Sequence, residues 1–156
     1  MTFTIKLATG ILAFVSGIIL CNVNIYIAGY LAAVPVPREY FLLFGHHYTV
    51  AFFILNLVTF VLPILLIAVV WSILANLLLR GQLRLTAIWC ATGCIVAMLD
   101  LTFADSAATA EILATLIHPA PLIQFLVNLL AAPIGIMVGV ILLSKIRQRE
   151  RELLAS

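Results

Sequence analysis

Charged side chains are scarce in this chain. Of its 156 residues, 8 are Lys or Arg, 6 are Asp or Glu, and 65% are hydrophobic. A typical soluble domain is about a quarter charged and about half apolar. Together with a mean hydropathy of +1.29, this composition predicts a protein whose solvent is the lipid bilayer. The net charge of +2 gives no indication of a nucleic-acid partner, and we expect none.

Sequence motifs for chemistry are also missing. There is no Gly-x-Ser-x-Gly elbow, no Gly-rich phosphate loop and no Cys beside a His. The histidines His46, His47 and His118 show no spacing that preorganises a metal site, because adjacent helical residues point about 100° apart. We interpret these three as interfacial side chains, and they remain the candidate ligands if two loops converge. No cofactor is predicted, and an enzyme is the less favoured class.

Cysteine is sparse, and all three cysteines lie within apolar runs, where a disulfide framework is not expected. Cys90 and Cys94 are four residues apart and share a helix face. Two thiols without a nearby His or further Cys make a poor metal site, so we predict that Cys21, Cys90 and Cys94 act as small buried hydrophobic side chains.

Long apolar runs dominate what is present. A helix needs about 20 apolar residues to cross a bilayer, and four runs meet this length, so residues 1–156 are interpreted as a single four-span membrane domain. Pro63 and Pro133 should disturb the second and fourth spans. The short link Arg80–Arg84 should make the second and third spans antiparallel neighbours. The predicted spans cover residues 7–33, 49–79, 85–104 and 122–144.

The segment between the third and fourth spans has the pattern of a short helix. Ile112, Leu113, Leu116 and Ile117 share one side of a helical projection. We therefore predict an all-α integral membrane protein with four transmembrane helices and a short interfacial helix in its second external loop. The aromatic residues of 40–48 are expected at the same membrane interface.

The distribution of basic residues predicts an orientation. In a four-span scheme, seven of the eight cations lie on one side and only Arg38 lies on the other. Because short cytoplasmic loops are enriched in Lys and Arg, both termini are predicted to be cytoplasmic, with residues 145–156 as a basic cytoplasmic tail. Compactness, short loops and this bias favour a bacterial inner membrane. The seven cations are Lys6, Arg80, Arg84, Lys145, Arg147, Arg149 and Arg151.

Small residues recur every four positions in the first and fourth spans. Such stripes let helices approach closely. We predict packing faces at Ala13 and Gly17, continued by Cys21, and at Ala131, Gly135 and Gly139.

Each span also carries one polar side chain at a similar depth, in the outer half of the membrane. These are Asn24, Asn56, Asp100 and Asn128, with Gln124 just above them. Asparagines can serve as interhelical hydrogen-bond partners, whereas a carboxylate is expensive in hydrocarbon and should face other helices, a partner or water. The candidate site is therefore an outward-opening polar layer centred on Asp100.

Three classes of function follow. We favour a non-enzymatic protein that acts through helix–helix contact, either as an accessory subunit of a larger membrane complex or as an immunity- or exclusion-type binder of another membrane protein. Its partners would be the lipid bilayer and other membrane protein subunits, or further copies of itself. The alternative is a module that binds or transports a proton, cation, quinone or lipid at Asp100.

The third class is a membrane aspartyl hydrolase that uses Asp100 and Asp105. The segment Phe103–Ser106 resembles the second aspartate motif of lipoprotein signal peptidases. However, the chain has no upstream Asn-x-x-Asp-Arg motif to supply a first catalytic aspartate. We therefore do not assign the chain to that family, and this class ranks last.

Overall fold

The computed structural model describes residues 3–79, 83–104 and 106–155, and within these segments every regular element is helical. A π-helical turn, Leu57–Val61, connects the third and fourth α-helices. The α-helices in chain order are α1 Phe3–Ala32, α2 Arg38–Leu42, α3 Tyr48–Asn56, α4 Leu62–Leu79, α5 Leu83–Phe103, α6 Ser106–Thr115 and α7 Pro119–Ala155.

Four helical segments are long and apolar enough to cross a membrane, which confirms the predicted number. They are Thr4–Leu31, Tyr48–Leu79, Leu83–Phe103 and Pro119–Leu154. The last one exceeds the predicted fourth span, because α7 continues through the basic segment to Ala155. At 1.5 Å per residue, its 37 residues extend about 55 Å, which is longer than the hydrocarbon core of a bilayer.

Prolines mark the irregularities of the backbone. α1 ends at Ala32, before Pro35 and Pro37. The π-helical turn lies immediately before the Leu62–Pro63 step, so the predicted disturbance at Pro63 takes the form of a local change in helical register. Pro133 is accommodated inside α7.

The bundle consists of two pairs of parallel helices. α1 packs mainly on α5, and α4 packs mainly on α7. Residues near the start of α1 meet residues near the start of α5, as in the contact of Gly10 with Trp89, and Gly135 of α7 meets Leu65 of α4. α5 also contacts α7, and α1 contacts α4. The consecutive helices α4 and α5 therefore lie diagonally across the bundle and touch only slightly, in place of the close neighbours we predicted.

Glycines allow each parallel pair to approach closely. A Cβ at Gly17 would overlap the carbonyl oxygen of Cys90, and a Cβ at Gly93 would overlap that of Phe14. In the other pair, a Cβ at Gly135 would lie 2.5 Å from the Leu65 carbonyl oxygen, and one at Gly139 would lie 2.7 Å from that of Val69. At each of these four glycines, the absence of a side chain lets the helix lie directly against the backbone of its partner, as is typical of closely packed membrane helices.

One end of the bundle carries α2 and α6, and we refer to it as the α2–α6 end. Here the Tyr40 hydroxyl donates a 2.6 Å hydrogen bond to the Ala51 carbonyl, which attaches α2 to α3. The ring of Tyr40 lies 5.2 Å from that of Phe44, and the ring of Phe41 lies 5.1 Å from that of Phe52. Gly45 follows with a φ of 55°, a conformation that favours glycine. The aromatic residues therefore form a folded segment against α3.

Candidate functional site

Two asparagines of the predicted polar layer are hydrogen-bonded to each other. The Nδ2 atom of Asn56, at the end of α3, donates to the Oδ1 atom of Asn128 on α7 over 2.9 Å. Both side chains are partly buried. Gln124 lies one turn before Asn128 on α7 and is also partly buried. The second and fourth spans are thus joined by side-chain amides near the α2–α6 end.

Asn24 of α1 lies close to this pair but makes no hydrogen bond in the described structure. Its side chain is 4% exposed, and neither its Nδ2 nor its Oδ1 atom has a partner. Asn24 and Asn128 both line a small cavity of about 30 Å³. A cavity of that size has room for a water molecule. The other lining residues are Cys21, Ile25, Phe60, Ile64, Cys94, Met98 and Ala132.

Asp100 is placed apart from the asparagines. Its side chain is exposed on the outer surface of α5, and it is absent from the lining of the cavity beside Asn24. Val96, one turn before it on the same face of α5, is also exposed. The structure therefore brings together Asn24, Asn56 and Asn128, and directs the carboxylate outward.

A large cavity, with a volume of about 850 Å³, lies at the α2–α6 end. Its walls come from the end of α1, the Val34–Pro37 segment, α2, α3, the π-helical turn and α7. Asn56 and Gln124 contribute amides, and Tyr40 and Phe52 contribute aromatic rings. The two amides were predicted as site residues from the sequence and the two rings were not, although the cluster of aromatic residues at 40–52 was a signal for them.

The predicted packing residues lie at helix contacts. Ala13 is completely buried in α1, and Gly17 contacts the backbone of α5. On α7, Ala131 is 2% exposed, and Gly135 and Gly139 contact α4. Both stripes therefore face the parallel partner of their helix.

The histidines do not converge. His46 and His47 are exposed between α2 and α3, and His118 is exposed between α6 and α7. In residues 3–79, 83–104 and 106–155, no three His, Cys, Asp or Glu side chains are grouped so that they could hold a metal ion. Asp105, the second carboxylate of the hydrolase hypothesis, lies outside the described residues, as do Arg80, Gly81 and Gln82 of the predicted link.

The cysteines form a contact that their spacing did not predict. Cys94 and Cys21 are neighbours across the α1–α5 interface, where both line the same small cavity. Cys90, one turn earlier on α5, is buried in the same interface but does not line this cavity. All three thiols are free and buried. Because α1 and α5 are parallel, Cys21 lies level with Cys94.

Comparison with models of known protein families, with curated proteins and with solved structures finds no match to this chain. The class of protein is therefore defined by the fold alone: an all-helical bundle in which four helices are long and apolar enough to cross a membrane.

Proposed function

We propose that this protein acts by binding another membrane protein through the outward face of α5, as an accessory or inhibitory subunit. The observation that carries the proposal is the exposure of Asp100 next to the exposed apolar side chain of Val96, one turn earlier on the same face of α5. An ionisable group in a transmembrane helix normally faces protein or water. A partner helix that lies on α5 would cover it.

Charge complementarity indicates what the partner contributes. A carboxylate in a low-dielectric interface is stabilised by a Lys or Arg at the same depth. This chain's own α5 cation, Arg84, lies at the opposite end of that helix. Of the cations in the described segments, Arg38 alone lies at the α2–α6 end. We therefore propose a heterologous partner with a basic residue in its membrane helix, at the level of Asp100.

The test is affinity purification of the tagged protein from native membranes in mild detergent. We expect a stoichiometric membrane-protein partner with the unaltered chain and loss of that partner with Asp100→Lys, because like charges then meet. Asp100→Asn should weaken retention less severely. The matched control is Glu111→Gln, which replaces an exposed carboxylate on α6 by its amide. This variant should retain the partner.

Two results would contradict the proposal. One is a monodisperse monomer with no partner. The other is a homo-oligomer that is broken by Arg38→Gln as readily as by Asp100→Lys, since a second copy of the chain would then supply the cation.

We also propose the orientation predicted from charge, in which the α2–α6 end faces away from the cytoplasm and α6 lies at the membrane surface, with a bacterial inner membrane as the location. The support is the position of Lys6, Arg84 and Lys145 at the opposite end of the bundle. In a variant of the protein without Cys21, Cys90 and Cys94, the substitution Glu111→Cys should make the protein react with a membrane-impermeant maleimide in intact cells. Labelling of Arg149→Cys but not of Glu111→Cys would show that the protein has the opposite orientation.

The large cavity at the α2–α6 end favours a second candidate function, the binding of an uncharged amphiphile. Its volume of about 850 Å³ is within the range of small-molecule sites. The amides of Asn56 and Gln124 can donate to a carbonyl, and the rings of Tyr40 and Phe52 suit a flat head group. Glu39 is the charged side chain in the lining and disfavours a phosphate head. A quinone fits this chemistry.

Titration of the purified protein with decyl-ubiquinone tests this candidate. Gln124→Leu should lower the affinity by about tenfold, because one hydrogen bond to the head is lost. Asn22→Leu changes an exposed amide on α1 that lies outside the cavity, and should leave the affinity unchanged. Absence of saturable binding, or equal competition by dioleoylglycerol, would overturn the quinone assignment.

A further inference from the structure

Three sulfur atoms lie around one small cavity inside the bundle. Cys21 of α1 and Cys94 of α5 are 3% and 2% exposed and lie next to each other across the interface of the two helices. Met98 lies one turn beyond Cys94 on the same helix face. All three residues line the small cavity of about 30 Å³ described above. The cavity is therefore lined by two thiols and a thioether that come from two parallel helices.

A buried amide in the same cavity has no partner. Asn24, one turn after Cys21 on α1, lines the cavity with both side-chain polar atoms unsatisfied. Leaving a buried amide without a hydrogen bond costs free energy of the order of a few kcal/mol. Buried polar groups without partners are rare in native structures and often belong to a site that binds something. Asn24 thus indicates an occupant that contains, or creates, a hydrogen-bond acceptor or donor.

We propose that this cavity binds a monovalent soft metal ion, Cu⁺, through the Sγ atoms of Cys21 and Cys94 and the Sδ atom of Met98. Thiolate and thioether ligands select Cu⁺ over the harder divalent ions. A structural zinc site would require four nitrogen, sulfur or carboxylate ligands, and no His, Asp or Glu lines this cavity.

The binding step balances without any change of oxidation state. Cu⁺ forms bonds to the Sγ atoms of Cys21 and Cys94 and to the Sδ atom of Met98, each of the two thiols releases its proton to solvent, and the occupied site carries one net negative charge. The Nδ2 group of Asn24 can then donate a hydrogen bond to a thiolate, which stabilises that charge within the apolar core. The same ion therefore accounts for the sulfur cluster and for the unsatisfied Nδ2 group of Asn24.

The site is distinct from the α5 face that carries Asp100. Cys94 and Met98 point into the bundle, whereas Asp100 is exposed. Metal binding and partner binding can therefore succeed or fail independently in experiments.

The test is anaerobic titration of the reduced, purified protein with Cu⁺ in competition with a chromogenic Cu⁺ chelator. We expect the unaltered chain to retain one equivalent. Cys21→Ser and Cys94→Ser should abolish retention, and Met98→Leu should weaken it. Asn24→Leu should weaken it by about tenfold, in the range for loss of a group that orients a metal ligand. X-ray absorption should show sulfur as the only ligand type.

Cys90→Ser is the matched control, because Cys90 is a buried cysteine on the same helix that does not line the cavity. It should retain one equivalent. Thermal unfolding of each apo variant verifies folding, and the nearly isosteric Met98→Leu keeps the test informative if a serine variant fails to fold. Failure of the unaltered chain to compete with the chelator, or equal losses in Cys90→Ser and Cys94→Ser, would overturn the proposal. The proposal would also be overturned if Cu⁺ retention were lost only in variants that unfold.

Discussion

The Nδ2 atom of Asn56 donates to the Oδ1 atom of Asn128 over 2.9 Å, and this bond joins the second span to the fourth. It connects residues that are 72 positions apart in sequence. In apolar surroundings neither amide finds a better partner once the other is removed. The bond therefore provides a measurable coupling between the two helices.

Replacement of either asparagine by leucine should reveal that coupling. Asn56→Leu and Asn128→Leu should each lower the free energy of unfolding by about 1 kcal/mol. The double variant should cost about 0.6 kcal/mol less than the sum of the two single changes, the average interaction energy of such bonds between membrane helices. The measurement is equilibrium unfolding in mixed detergent micelles. Strict additivity of the two changes would show that the bond carries no energy.

The close approach of α1 and α5 should be sensitive to side-chain size at Gly17. Gly17→Leu places atoms where the Cys90 carbonyl lies, so the helices must separate, at a cost of about 1–3 kcal/mol or more. Gly29→Leu on the same helix is the matched control, since a Cβ there meets nothing within 4 Å. Unfolding of both variants in the same micelles makes the comparison. Equal stability of the two would contradict the described α1–α5 contact.

A hydrogen bond between α1 and α4 should contribute a smaller amount. The Trp71 Nε1 group donates to the Ser16 hydroxyl over 2.7 Å. Ser16→Ala leaves the partly buried indole N–H without this acceptor and should reduce stability by about 1 kcal/mol. The control is Ser144→Ala, because the exposed Ser144 hydroxyl bonds only within its own helix. The two serine variants should differ in unfolding midpoint. Coincident midpoints would count against the bond.

The Tyr40 hydroxyl should restrain the segment that closes the large cavity. Tyr40→Phe removes its 2.6 Å bond to the Ala51 carbonyl, and we expect faster amide hydrogen exchange in residues 38–44 with little change elsewhere. Tyr30→Phe removes a hydroxyl from a side chain that is 78% exposed and serves as the control. Exchange in 38–44 that is identical in both variants would exclude a restraining role for this bond.

The number of long apolar helices follows from the sequence because the length and composition of each run determine it. Lateral arrangement does not follow in the same way. A link of a few residues between the second and third spans suggested close neighbours, but the glycine faces of α1 and α7 select the parallel partners α5 and α4 instead. This pairing depends on how the backbones of distant segments fit together, and the sequence of one apolar run does not indicate which other run it fits.

The direction of polar side chains shows the same division. Depth along each span brought Asn24, Asn56, Asn128 and Asp100 to one level, but depth does not specify rotation about the helix axis. Three of these residues face the interior, and Asp100 does not. Likewise, the i, i+4 spacing of Cys90 and Cys94 concealed the partner of Cys94, because Cys21 reaches it from another helix.

The two strongest helix interfaces each join the first half of the chain to the second. When the ribosome has synthesised only α1 to α4, the surfaces around Gly17 and Leu65 are not yet covered, because α5 and α7 have not been made. Each half of the chain is therefore a helical hairpin whose main packing surfaces are covered only by the other half. Residues 1–79 and 83–156, produced as separate polypeptides in one cell, should find each other and rebuild the bundle, whereas either fragment alone should be degraded.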